Sequence, residues 1–159
     1  MKHLPKHIRP RWRYLAVGIE STPDAEIDRG TFQRELWYAA GNLLGDPGSA
    51  DADLTVYDFE FADGVGESII RTRRGETDAA RAALACVDEI DGEPIGVVVH
   101  GISGTVRACE ERYLGRRTGD FQQRHVVFAD ASRPAYSRED AIDVSVSTGF
   151  VSTTELDFE

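Results

Sequence analysis

The stretch LTVYDFEFADGVGESIIRTRR, Leu54 to Arg74, decides the fold. Its two flanks, LTVYDFEF and ESIIRTRR, are rich in β-branched and aromatic residues. They enclose ADGVG, whose Asp63-Gly64 pair is a hairpin signal because both residues tolerate the positive φ that a two-residue turn demands. Two paired strands therefore sit near the middle of the chain, and what lies on either side sets the architecture.

Upstream, residues 11–20 (RWRYLAVGIE) alternate strictly. Leu15, Val17 and Ile19 share one face of a strand, and Tyr14, Ala16 and Gly18 share the other. After the polar link STPDAEIDRG, Phe32, Leu36, Ala39 and Leu43 recur at helical spacing. This predicts a helix over 31–44, with Thr31 or Asp28 as N-cap, Gly45 as its stop and DPGSADAD as a loop.

Downstream, ETDAARAALACVDEIDG places Ala80, Ala83, Leu84, Val87 and Ile90 on one stripe and predicts a second helix ending at Gly92. PIGVVVHGIS reads as a fourth strand, and GTVRACEERYL as a third helix with Val106, Cys109 and Tyr113 on one side. The order β-α-β-β-α-β is that of the ferredoxin-like α+β fold, here with an added helix. Helices cover one face of such a sheet and leave the other open. The organisation expected is a basic arm over 1–10, a core domain over 11–115, and a C-terminal extension over 116–159 with a hairpin around Thr148-Gly149.

Charge is distributed unevenly. The chain of 159 residues carries a net charge of -10, yet residues 1–14 hold Lys2, Lys6, Arg9, Arg11 and Arg13 and no acid. Lys2 and Lys6 are also the only lysines, against 28 acidic residues. Dense carboxylates with almost no lysine suit a protein of a molar-salt cytoplasm, where the Debye length falls to about 3 Å and self-repulsion is screened. No apolar run is long enough to span a membrane. Cys86 and Cys109, the only cysteines, fall in stretches read as helix and are expected to be buried free thiols of a reducing, cytoplasmic compartment.

Three stretches suit an anionic partner. In the arm, Pro5 and Pro10 disfavour a continuous helix, so an extended, mobile segment is expected; its arginines offer bidentate phosphate contacts, and Trp12 and Tyr14 add flat rings. IIRTRRG brings Arg71, Arg73 and Arg74 to a strand end, where they either meet RNA or pair with this chain's own carboxylates. HGISGTVR is a strand-to-helix turn in which Ser103 or Thr105 can cap the helix. No Cys/His group has metal spacing and no serine sits in a nucleophile elbow, so the residues describe a binder.

RPRWRYLAVGIES, an amphipathic helix, IIRTRR and GISGTVR, in this order and at these separations, resemble the archaeal ribonuclease P protein component 2 family, shared with eukaryotic ribonuclease P and MRP, over about residues 9–114. The resemblance implies a version of the fold like the RNA-recognition motif. It implies pairing with ribonuclease P protein component 3, two pairs forming a heterotetramer, beside other ribonuclease P proteins. It also implies binding of ribonuclease P RNA in an enzyme whose RNA performs Mg²⁺-dependent removal of the 5′ leader from precursor tRNA, with no cofactor on the protein itself. Carried over to this chain, it makes Arg9, Arg11, Arg13, Tyr14, Arg71, Arg73, Arg74, Ser103, Gly104, Thr105 and Arg107 candidate RNA contacts, and the basic arm adds Lys2 and Lys6.

Two departures accompany the resemblance. Strand three lacks the stacking aromatics of an RNA-recognition motif, and residues 116–159 have no counterpart in the family core. The small residues Ala16 and Gly18, beside Tyr14, predict that the open face receives another protein. On the bare element order, a metabolite-binding domain of the ACT kind shares the topology and is the alternative, although it gives no reason for a basic arm; an acylphosphatase would need a phosphate cradle where ESTPDAEIDRG is acidic.

Overall fold

The structure is a computed structural model that describes residues 3–115, 122–138, 141–147 and 149–153. The chain divides into two compact units, Met1–Gly115 and Arg116–Glu159.

In the first unit, strands β1 (Trp12–Glu20), β2 (Thr55–Ala62) and β3 (Val65–Arg73) alternate with helices α1 (Arg29–Ala52) and α2 (Thr77–Ala85). A short hairpin, β4 (Glu89–Ile90) and β5 (Glu93–Pro94), then precedes β6 (Gly96–Ser103) and helix α3 (Val106–Tyr113). The main sheet has the order β2-β3-β1-β6, antiparallel throughout, which is the ferredoxin-like arrangement. The β2–β3 turn is the expected Asp-Gly one, with φ of 53° at Asp63 and 79° at Gly64.

The odd residues of β1 make the core. Leu15, Val17 and Ile19 are fully buried with Ile70 of β3, Val56 of β2, Phe32 and Leu36 of α1, and Ala80 and Ala83 of α2. Each large side chain buried in this way contributes about 1.5–3 kcal/mol. A register shift in β2 lets Val56 and Phe59, three residues apart, both face the helices, with Tyr57 as the extra residue. A matching shift in β6 falls at His100, between Val99 and Gly101.

Helix α1 starts at one of its two expected caps and runs on past its expected end. Asp28 is the N-cap: its carboxylate accepts from Thr31 N (2.8 Å), and Thr31 Oγ1 accepts from Asp28 N (3.2 Å), a reciprocal capping box. Gly45 does interrupt the helix, at φ 70°, but helical structure resumes through residues 46–52 instead of the expected loop. Pro47 sits in the first turn of that new segment, where its missing N–H sacrifices no intrahelical bond.

Helix α2 is shorter than predicted. Cys86 N and Val87 N bond to Ala83 O and Leu84 O, which tightens the last turn and ends the helix. Val87 and Ile90 remain buried, but from a loop and a hairpin that turns at Asp91-Gly92 (φ 50° and 85°) where the periodicity predicts a helix stop. Cys86 is exposed as a result, contrary to expectation, and Cys109 is buried.

The second face of the sheet is not open. Helix α3 lies on it, packing Cys109, Val106 and Tyr113 against Ala16 and Ile69. The small residues there serve the chain itself. A Cβ on Gly101 would lie 2.2 Å from Tyr113 Cζ, and one on Gly18 would lie 2.4 Å from His100 Nε2. The expectation that Ala16 and Gly18 await another backbone is therefore corrected, since α3 and His100 occupy the space.

The second unit is an antiparallel sheet of order β10-β9-β8-β7, formed by β7 (Gln122–Phe128), β8 (Ala131–Arg138), β9 (Ala141–Val146) and β10 (Gly149–Thr153). Its core is Ala135, Ile142 and Val144, with Val126 and Phe128 packed against them. Ahead of the β9–β10 pair, β7 and β8 form a second hairpin, joined at Ala129 and Asp130, both at positive φ. Thr148 lies outside the described residues.

Candidate nucleic-acid interface

Neighbouring strands bring the three basic or anion-suited stretches to one end of the sheet. β1 starts there, β3 and β6 end there, and β1 lies between them. The register sets Trp12 opposite Arg73, and Tyr14 opposite both Arg71 and Ser103. Past the ladder, Arg74 N donates to Arg11 O at 2.9 Å, so the arm joins the strand end.

Trp12 organises this end. The guanidinium carbons of Arg71 and Arg73 lie 4.0 and 4.5 Å from the centroid of its ring. Each such contact is worth about 0.5–1 kcal/mol at a partly exposed site, and the ring offsets the repulsion between the two cations. The two arginines differ in their other neighbours. Arg73 donates to Asp53 Oδ2 through Nε (3.1 Å) and Nη2 (3.0 Å). Arg71 has no ion pair among the described residues, and its Nε is buried without a hydrogen-bond partner.

The GISGTVR residues divide between structural and exposed positions. Thr105 is the N-cap of α3, accepting from Ala108 N at 3.2 Å. Ser103 is not a cap; it is buried at the end of β6 with its Oγ unpartnered. Gly104 lies beside Arg13, whose Nη1 would be 3.7 Å from an added Cβ and itself donates to Trp12 O at 3.1 Å. Arg107 is exposed and pairs with Glu111, one turn along the helix, at 2.7 Å.

The arm is not extended throughout. Lys6–Ile8 form one 3-10 turn closed by Ile8 N to Pro5 O, and Arg9 Nε donates to Leu4 O at 2.7 Å. Lys6, Arg9 and Arg11 are exposed, and Lys2 lies outside the described residues. Tyr57, in contact with Tyr14, is a surface aromatic that sequence reasoning passed over (ring centroids 5.9 Å apart, planes at 80°).

Other chemistry is sparse. Cys109 Sγ donates to Tyr14 O at 3.6 Å, and burial, then the neighbouring Glu110 carboxylate, push its pKa up to about 11. It is therefore a protonated, packed thiol and not a nucleophile. Among the described residues no group of three or more His, Cys, Asp or Glu side chains could hold a metal ion. No helix among them is long and apolar enough to cross a membrane.

Residues 13–114, which contain this whole strand-end cluster except the arm, Arg11 and Trp12, match the Rpp14/Pop5 family. The chain belongs to the Rpp14/Pop5 family. "Ribonuclease P protein component 2" of Halorubrum lacusprofundi is 62% identical over 159 residues, covering 100% of both chains. The protein of the same name from Natronomonas pharaonis is 60% identical over 157 residues, 99% of this chain and 98% of its own. In the protein of that name from Methanosarcina mazei, identity is 34% over 114 residues, 72% of this chain and 93% of that one.

The haloarchaeal Rpp14/Pop5 relatives thus run the full length of this chain, whereas the Methanosarcina relative has little chain beyond its match. The acidic, lysine-poor composition agrees with haloarchaeal relatives. A chain in the cryo-EM structure of yeast Ribonuclease MRP aligns with TM-score 0.46 and 20% identity over 61% of this chain and 76% of that one, too loose a match to add to the fold argument. Membership in the Rpp14/Pop5 family displaces the ACT-like alternative.

Proposed function

We propose that this chain is a protein subunit of ribonuclease P, which supports the catalytic RNA in removing the 5′ leader from precursor tRNA. The observation that carries the reading is the convergence of Arg11, Arg13, Arg71, Arg73 and Arg74 at one end of the sheet of an otherwise acidic Rpp14/Pop5 family chain. In this reading the RNA performs the Mg²⁺-dependent chemistry, and the protein organises its catalytic region. The assembly includes ribonuclease P protein component 3, as two pairs in a heterotetramer, and further ribonuclease P proteins. Its compartment is a reducing, salt-rich cytoplasm, in keeping with free Cys86 and Cys109.

Salt shapes the mechanism. Counterion release gives phosphate contacts little advantage when salt is already molar. Binding must then come from bidentate arginine geometry, stacking and prior assembly with the partner protein. The test is reconstitution of precursor-tRNA cleavage with the cognate RNA and other protein subunits at about 2 M KCl and limiting Mg²⁺. Cleavage should fall when this chain is withheld and return with intact protein, but not with Arg11→Ala/Arg13→Ala. Unchanged cleavage on withholding it would remove the reading. Tight RNA binding by the isolated chain, indifferent to RNA sequence under the same salt, would remove the dependence on assembly.

A further inference from the structure

The face of the sheet that carries α3 also presents aromatic rings beside it. Trp12 and Tyr14 come from β1, and Tyr57 comes from β2. Tyr57 owes its position to the bulge: Val56 pairs with Ile70 and Asp58 with Ile69, so Tyr57 has no partner in β3. Tyr57 is 52% exposed, and its ring is restrained on one side by a T-shaped contact with Tyr14. A restrained aromatic ring half in water is a stacking platform, and base stacking on such rings needs no particular sequence.

Arg71 lies on the strand between them, opposite Tyr14 on one side and Thr55 on the other. Trp12 holds its guanidinium by the flat face, and no described carboxylate takes its donors, although the chain has 28 acidic residues. Arg73, two residues on, is already committed to Asp53. Both guanidiniums lie over the Trp12 ring, but the pair is differentiated by charge: Arg73 is neutralised by Asp53, whereas Arg71 has no carboxylate partner among the described residues and its charge remains for a phosphate.

We propose that Tyr57, Arg71 and Trp12 form a subsite for one unpaired nucleotide of the bound RNA. The base stacks on the exposed ring of Tyr57, the phosphate is taken by Arg71, and Trp12 is the positioning residue that orients the guanidinium. The proposal rests on the ribonuclease P reading above and deepens it. A nucleotide within a regular duplex cannot present its base face, so the ligand is a bulged, looped or terminal nucleotide. Stacking survives molar salt where screened charge does not, which fits the composition of this chain.

The experiment is ultraviolet crosslinking and affinity measurement of the assembled protein subunits, full chain included, with the cognate ribonuclease P RNA at about 2 M KCl. A crosslink to Tyr57 is expected. Tyr57→Ser should weaken binding about five- to a hundredfold, the range for loss of one stacked base, while Tyr57→Phe keeps the ring and the affinity. Arg71→Lys should also weaken binding, because an ammonium cannot stack and fork as the guanidinium does. If Arg11→Ala/Arg13→Ala weakens binding while Tyr57→Ser does not and no crosslink maps to Tyr57, the subsite is wrong and the ribonuclease P reading stands. If the wild-type chain makes no difference to RNA binding or cleavage, both fall.

Discussion

Strand β1 has two faces that do different work. Leu15, Val17 and Ile19 point into a core closed by α1 and α2, where large apolar side chains fill the space. On the other face the sequence reads Trp12, Tyr14, Ala16 and Gly18, descending in size along the strand. The small end makes room for α3 and His100, and the aromatic end stays half-exposed beside Arg71 and Arg73. Alternating parity thus lets one strand pack a large apolar core on one face and carry both the α3 contact and the aromatic–arginine cluster on the other, because a side chain on one face is not in the packing of the other.

The harshest test of that division is on the core side. Leu15→Ala should cost about 2–5 kcal/mol of unfolding free energy, the range for a fully buried large-to-small change. Trp12→Leu, which removes the ring beneath two arginines, should cost about 1 kcal/mol. Urea titration in high KCl measures both. A double variant whose loss departs from the sum of the two would mean that the faces are not independent.

An effect smaller than that of Leu15→Ala is expected where α3 meets the second face. Gly101→Ala forces a Cβ to within 2.2 Å of the Tyr113 ring, and the resulting shift of Tyr113 and its helix should cost about 1–3 kcal/mol. The sharper readout is thiol titration. In the native protein exposed Cys86 should react quickly, and Cys109, buried with its pKa pushed up to about 11, should react slowly. Displacing α3 should make Cys109 reactive as well. One fast thiol in Gly101→Ala would show that Tyr113 swings aside while the helix stays.

Much of this division was legible in the sequence, and what was not has a physical cause. The alternation in 11–20 and the Asp63-Gly64 turn identify β1 and the hairpin, and the element order then implies the strand neighbours that gather the arginines. Asp91-Gly92 carries the same turn signal, but it follows an apolar stripe at helical spacing, which predicts a helix end there. The bulges at Tyr57 and His100 leave no mark in composition, because they answer a need for core contacts further along the same strands. Tyr57 was therefore missed. The small residues of β1 were recognised as room for a close approach, but periodicity cannot say whether the occupant is another protein or a helix 90 residues downstream.

The mildest perturbation concerns the cap of the helix that closes the core face. Asp28 accepts a hydrogen bond from Thr31 N, and this bond, the largest cause, holds its pKa below the ordinary 3.8. A carboxyl whose folded pKa is depressed favours the folded state above its unfolded pKa, and that advantage is lost as pH falls through the folded value. Asp28→Asn keeps an oxygen acceptor for Thr31 N but cannot titrate. The wild-type chain should therefore be slightly the more stable of the two at pH 6, with the difference shrinking once the pH drops below about 4. Paired urea titrations at descending pH measure this against the background of the other carboxylates, which the two proteins share. A gap that stays constant down to the acid transition would mean that the charge of Asp28 adds nothing to the cap beyond what a neutral amide oxygen supplies, and α1 would then rest on its apolar face and on the uncharged part of its polar contacts.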